Sequence, residues 1–133
     1  MHGPHLMLDC YGCDKKALND MNTVFKCLDE LPEKIKMTKM TLPYCVYWKG
    51  GTPNDGGGIS GFVMIAESHI SIHTFADLGY LTFDIYSCKE FDKKKVMNFL
   101  NDLFHPAKME EQFAHRGNLH VEKVAVPAVR HKV

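Results

Sequence analysis

Between Ile59 and Tyr86 the chain offers three strand-like runs in close succession: Ile59 to Ala66, Ser68 to Phe75 and Tyr80 to Tyr86. The gaps between them are of hairpin length. Parallel strands need a crossover of about a dozen residues or more, so runs this close pair antiparallel. Ile59 to Ala66 is almost continuously apolar and reads as a central strand buried on both faces. In Ser68 to Phe75 the even positions carry Ser68, Ile70, Ile72 and Thr74, and the odd ones His69, Ser71, His73 and Phe75. A regular strand with that parity has an apolar face and a polar face. Tyr80 to Tyr86 alternates as well, with Leu81, Phe83 and Ile85 together.

The flanking segments supply helices. Leu18, Met21, Val24, Phe25 and Leu28 recur at spacings of three and four, which predicts a helix from about Lys16 to Leu31, capped by Asp14 and ended by Pro32. Val96, Phe99, Leu100 and Leu103 form a second stripe, capped by Asp92 and followed by Pro106. Further strands are expected at His5 to Tyr11, at Ile35 to Leu42 with apolar residues continuing through Tyr44, Val46 and Trp48, and at Met109 to Ala114. Lys49 to Gly58 is a glycine-rich loop, and no pattern marks the tail from Gly117. The order β-α-β-β-β-β-α-β predicts a single α+β domain, a two-layer sandwich of a mainly antiparallel sheet with two helices on one face. The other face needs a cover, which a second copy of the chain would provide.

The 133 residues carry 16 Lys+Arg and 16 Asp+Glu, a formal charge of zero that argues against a nucleic-acid binder. No apolar run reaches the ~18 residues of a membrane span. The start lacks signal-peptide features, and five irregularly spaced cysteines suit a reducing compartment, so a cytoplasmic location is expected. Cys10 and Cys13, with His2 and His5 nearby, could be drawn as a zinc site, but no second paired-thiol motif supports them and no metal is expected. The glycine-rich loop lacks the Gly-Lys-Ser/Thr of a phosphate loop.

Polar chemistry concentrates in Glu67-Ser68-His69-Ile70-Ser71-Ile72-His73. On the residues alone this is either a nucleophile–base arrangement or a set of strand-end groups satisfying local hydrogen bonds, and the second is the commoner use. No G-x-S-x-G elbow accompanies it.

The stretch Ile65 to Thr74 resembles the processing-site motif of the prokaryotic S-adenosylmethionine decarboxylase family. Leu8-Asp9-Cys10-Tyr11-Gly12-Cys13, Gly58-Ile59-Ser60-Gly61 and Asp84-Ile85-Tyr86-Ser87-Cys88 extend the resemblance in family order. It implies a self-cleaving proenzyme, in which the Ser68 hydroxyl attacks the Glu67 carbonyl. Elimination and hydrolysis then leave a pyruvoyl group made from Ser68. The products are a β chain, residues 1–67, and an α chain, residues 68–133. The ketone condenses with a substrate amine and accepts the electrons left by departing carbon dioxide. By position, His73 is the acid–base group of cleavage, Ser60 assists it, and Cys88 returns a proton to the product carbon. A thiol, with a reference pKa of about 8.5, suits that last role.

The resemblance leaves the substrate open between S-adenosylmethionine, the favoured reading, and arginine or ornithine on the same scaffold. Family members that act on S-adenosylmethionine commonly follow the His-Thr with an aromatic, Pro and Glu. This chain has Phe75, Ala76 and Asp77, which puts Phe75 and Asp77 on the substrate side. Trp48 or Tyr47 is the candidate base-stacking aromatic, and Asp55 or Asp77 the candidate carboxylate for a linear basic substrate. His105-Pro106-Ala107-Lys108 and Phe113-Ala114-His115-Arg116 resemble the arginine-specific branch. A catalytically silent regulatory relative is the reading from another class, and the presence of Ser68, His73 and Cys88 counts against it.

Overall fold

A computed structural model describes residues 3–51, 53 and 56–119. One six-stranded sheet contains β1 (Gly3–Tyr11), β2 (Tyr44–Trp48), β3 (Gly58–Ile65), β4 (Ser68–Phe75), β5 (Tyr80–Ser87) and β6 (Lys108–Arg116). Their spatial order is β2-β3-β4-β5-β1-β6, and every neighbouring pair is antiparallel. Helices α1 (Lys15–Leu18), α2 (Met21–Lys34) and α3 (Lys93–Phe104) complete an α+β architecture.

Leu6 and Leu8 of β1, Val63 of β3, Ile70 and Ile72 of β4, and Leu81 and Ile85 of β5 are buried with Val24, Leu28 and Leu31 of α2 and Val96, Leu100 and Phe104 of α3. The core is therefore the layer between one sheet face and the helices. Gly61 lets α2 settle on the sheet: a Cβ there would lie 2.6 Å from Leu28 Cδ1 and 3.1 Å from Cys45 Sγ.

The expected helix over 16–31 is two helices. Asp14 caps α1 by accepting from Lys16 N at 3.0 Å, and Asp20 caps α2 by accepting from Asn22 N at 3.3 Å and Thr23 Oγ1 at 2.7 Å. Asn19 and Asp20 interrupt the apolar stripe at the point where side-chain capping competes with a continuous backbone ladder. Pro32 does not stop α2, which runs on to Lys34. Pro32 is buried in the last turn, where it forgoes one i→i−4 bond, and its carbonyl accepts from Met37 N at 2.8 Å.

The strand expected at Ile35 to Leu42 is absent. Lys36 has φ 60°, which turns the chain, and only an isolated bridge joins Lys39 to Ile65. Ile35 and Met37 are instead buried plugs beneath the end of α2. The strand in this region is β2.

β3 is also buried on one face, not both. Ile59, Val63 and Ile65 point into the core, whereas Phe62 and Met64 are 43% and 44% exposed. They belong to a sheet face that no helix covers.

Thr74 is the polar exception in the core. Its hydroxyl accepts from Ile59 N at 2.9 Å and donates to Leu18 O at 2.8 Å, tying α1 to β3 and β4. Thr74→Val keeps the shape and strands both partners, so it is expected to cost about 2–3 kcal/mol. Urea unfolding in an uncleaved Ser68→Ala background checks this.

Candidate functional site

Ile65 pairs with Ser68, so Ala66 and Glu67 alone form the turn between β3 and β4. Three backbone-directed bonds clamp it. Ala66 N donates to Thr38 O at 2.8 Å, Thr38 N donates to Glu67 Oε1 at 3.2 Å, and Cys88 N donates to Glu67 O at 2.9 Å. The last bond polarises the carbonyl that Ser68 follows. Ser68 itself has φ 150°, a region in which L-residues are strained by about 1–3 kcal/mol. The chain thus holds a strained hydroxyl residue directly after a polarised carbonyl. That is the donor set for attack of a β-hydroxyl on its own peptide bond, and it fits a pyruvoyl group derived from Ser68.

Cys88 emerges just past β5, where Ser87 lies opposite Ser68, and it is exposed. Glu67, Ser68 and Cys88 are therefore together at one end of β4. Ser60 and His73 are together at the other. They are cross-strand partners in β3 and β4, with Ser60 Oγ 2.8 Å from His73 Nδ1. A depression of about 180 Å3, lined by Tyr44, Val46, Ser60, Gly61, Phe62, Ser71 and His73, opens over this pair.

The structure does not bring His73 to Ser68 within one chain. Five residues of strand at ~3.3 Å each separate them by about 16 Å. Their parities differ too, Ser68 sharing that of buried Ile70 and Ile72, and His73 lying on the open face.

Phe75 and Asp77 lie at the His73 end. Phe75 stacks on Tyr80 with ring centroids 5.5 Å apart, and Tyr80 OH donates to Asp9 Oδ1 at 2.8 Å. Partial burial and that carboxylate push the Tyr80 phenol up to about 12, so it remains a donor. Asp77 sits in the turn Ala76–Leu78 beside the glycine-rich loop: a Cβ on Gly56 would fall 2.2 Å from its Oδ2. Trp48 and Tyr47 are exposed at the edge strand β2. Asn54, Asp55 and His2 lie outside the described residues.

One cluster escaped the sequence reading. Asp84 of β5 accepts from His5 Nε2 at 2.8 Å and from Ser71 Oγ, and lies 3.4 Å from His69 Nε2. His69 and Ser71 carry the polar parity already visible in β4. Asp84 and His5 join them only once β5 and β1 are in register, which sequence does not state. Among the described residues no group of three or more His, Cys, Asp or Glu is arranged to hold a metal.

A family profile described as S-adenosylmethionine decarboxylase matches residues 4–117. An S-adenosylmethionine decarboxylase proenzyme of Methanococcus vannielii is 35% identical over 127 residues, covering 92% of this chain and 95% of the relative. One from Caldicellulosiruptor saccharolyticus is 30% identical over 116 residues, 86% of this chain and 88% of the relative. Among solved structures, the adenosylmethionine decarboxylase from Aquifex aeolicus VF5 matches with a TM-score of 0.71 and 27% identity, over 92% of this chain and 96% of that one.

The thiols differ in reactivity for a physical reason. Burial pushes Cys10 up to about 12 and Cys13 up to about 11, and raises Cys27 and Cys45 as well, whereas Cys88 is exposed. The expected result with a chromogenic thiol reagent at neutral pH is one fast-reacting group, which Cys88→Ala removes.

Proposed function

The chain belongs to the S-adenosylmethionine decarboxylase family, and on that premise we propose how its own residues make and serve the reactive group. It is a self-processing, pyruvoyl-dependent carboxy-lyase that decarboxylates S-adenosylmethionine to the aminopropyl donor of polyamine biosynthesis. Nothing in the structure or the relatives favours the arginine or ornithine alternative. The observation that carries the reading is the Glu67 carbonyl held by Cys88 N at 2.9 Å beside strained Ser68.

Cleavage begins when Ser68 Oγ attacks the Glu67 carbonyl carbon and gives its proton to a base. The carbonyl π pair moves to oxygen, which accepts a hydrogen bond from Cys88 N–H. Collapse expels the Ser68 nitrogen, which takes up the proton, and an ester replaces the peptide bond. Loss of the Ser68 α-proton then breaks the Cβ–Oγ bond. This releases residues 1–67 with a Glu67 carboxylate and leaves a dehydroalanine at the head of residues 68–133. Tautomerisation and hydrolysis free ammonia and leave the pyruvoyl group. That group supplies an electron sink for the departing carboxylate's bonding pair, which no side chain offers. Cys88, at the same end of β4, is the proton donor to the product carbon.

The base assigned to cleavage is His73, with Ser60 on Nδ1 leaving Nε2 for the transfer. Because His73 lies about 16 Å from Ser68 along its own strand, the histidine is assigned to a second copy of the chain. The uncovered face supports this homodimer: Tyr44, Val46, Phe62 and Met64 are all exposed there, around Ser60 and His73. A second copy that delivers His73 also delivers Phe75 and Asp77, which share its end of the sheet. These two are assigned to the substrate.

A cytoplasmic location fits five unpaired cysteines. No helix among the described residues is long and apolar enough to cross a membrane.

Intact-mass analysis is expected to show two fragments split before Ser68, and one uncut species for Ser68→Ala. Borohydride with substrate should trap an adduct on the fragment that begins at residue 68. Cys88→Ala should still be cut but lose about a hundredfold or more in turnover, measured as carbon dioxide release from S-adenosylmethionine. Co-expression of differently tagged Ser68→Ala and His73→Ala chains tests the sharing. The His73→Ala chain should be cut within mixed dimers, although neither variant is cut alone. An uncut His73→Ala chain in purified mixed dimers would refute the shared site.

A further inference from the structure

We infer that Ser87 is a positioning residue for chain cleavage, acting through the backbone amide of Cys88 on the carbonyl of Glu67. The inference rests on the self-cleavage reading above and assigns a role within it.

Ser87 is fully buried and lies directly opposite Ser68 in the β4–β5 ladder. Its hydroxyl is engaged by the turn that follows β5. It donates to Lys89 O at 2.7 Å and accepts from Lys89 N at 2.9 Å, so one side chain holds both backbone groups of the residue two positions on. Cys88 is the residue in between. Its N–H makes the last hydrogen bond of the ladder, 2.9 Å to Glu67 O, at an exposed end where no further strand residue follows. A terminal ladder bond of this kind frays unless the chain beyond it is pinned.

Two other contacts pin the same turn. Lys89 Nζ donates to Lys36 O, which anchors the turn to the chain just after α2. Gly3 at the start of β1 runs so close that a Cβ there would lie 1.8 Å from Ser87 O and 2.8 Å from Cys88 Cα.

The amide already bonds the ground-state carbonyl oxygen at 2.9 Å, which puts a donor beside the oxygen on which charge develops. Negative charge builds on Glu67 O as Ser68 Oγ bonds to the carbonyl carbon. An amide already in place stabilises that charge without reorganising. Cys88 therefore serves twice, its backbone in making the reactive group and its thiol in turnover. Ser87 fixes the first role.

The experiment follows cleavage of newly made full-length precursor by intact mass, with thermal melting recorded for each variant. Ser87→Ala is expected to fold and to be cut about tenfold to a hundredfold more slowly, since loss of a whole oxyanion donor costs about 100- to 1,000-fold. Ser87→Thr, which keeps the hydroxyl, should restore the rate. Hydroxylamine, which severs esters but not peptides, should not hasten cutting of Ser87→Ala, because the slowed step precedes the ester. Should Ser87→Ala fail to fold, Ser87→Cys, nearly isosteric with a weakly bonding thiol, is read by the same criteria.

Wild-type cutting with an equal rate in Ser87→Ala overturns this inference alone. So does a hydroxylamine-sensitive pool in Ser87→Ala, which places the defect after the acyl shift, or a Ser87→Thr chain as slow as the alanine variant. A wild-type precursor that never cuts overturns the self-cleavage reading itself and this inference with it.

Discussion

β4 hydrogen-bonds to β3 along one side and to β5 along the other, and its side chains alternate between the helix layer and the uncovered face. This register decides which groups meet. It sets Ser60 against His73, Ser71 against Asp84 and Ser68 against Ser87. A slip of one residue would exchange the two faces, carrying Ile70 and Ile72 outward and His69, Ser71 and His73 into the core. Burying those polar groups without partners would cost several kcal/mol, so the apolar core and the chemical site are specified by the same alternation.

Polar groups on the uncovered face are satisfied locally. His5, Ser71 and His69 converge on Asp84, Tyr80 bonds Asp9, and Tyr11 donates to Glu110 at 3.2 Å. No buried side-chain nitrogen or oxygen among the described residues lacks a partner. Such a face can be covered by a second copy with little further desolvation of unpaired groups. Its apolar members, Tyr44, Val46, Phe62 and Met64, are what the proposed dimer would bury.

Much of this was legible in the residues. Hairpin-length gaps gave the antiparallel arrangement of β3, β4 and β5, and parity gave the two faces of β4. Errors arose where an apolar residue had more than one use. Ile35 and Met37 read as strand because they are apolar and close together, yet a left-handed Lys36 turns them into plugs. Phe62 and Met64 made β3 look buried on both sides, because the sheet face that no helix covers is apolar there too. Asn19 and Asp20 divided a helix whose apolar stripe runs through the break. The proposed reactive set Ser68, His73 and Cys88 was nameable only through resemblance, since spacing alone did not separate it from ordinary strand-end groups. The bond from Cys88 N–H to Glu67 O was invisible for a different reason: backbone donors have no letter in a sequence.

The sheet order has a consequence for the fate of the severed chain. A break between Glu67 and Ser68 assigns β1, β2 and β3 to one fragment and β4, β5 and β6 to the other. Because β1 lies between β5 and β6, the first fragment is threaded through the second as well as zipped along β3 and β4. The two pieces are interlocked. Pulling them apart means opening three ladders at once, so the nicked molecule keeps the architecture of the uninterrupted one and parts only on global unfolding. Once parted, each piece lacks the neighbours that complete its sheet, and reassembly has to proceed as a bimolecular event.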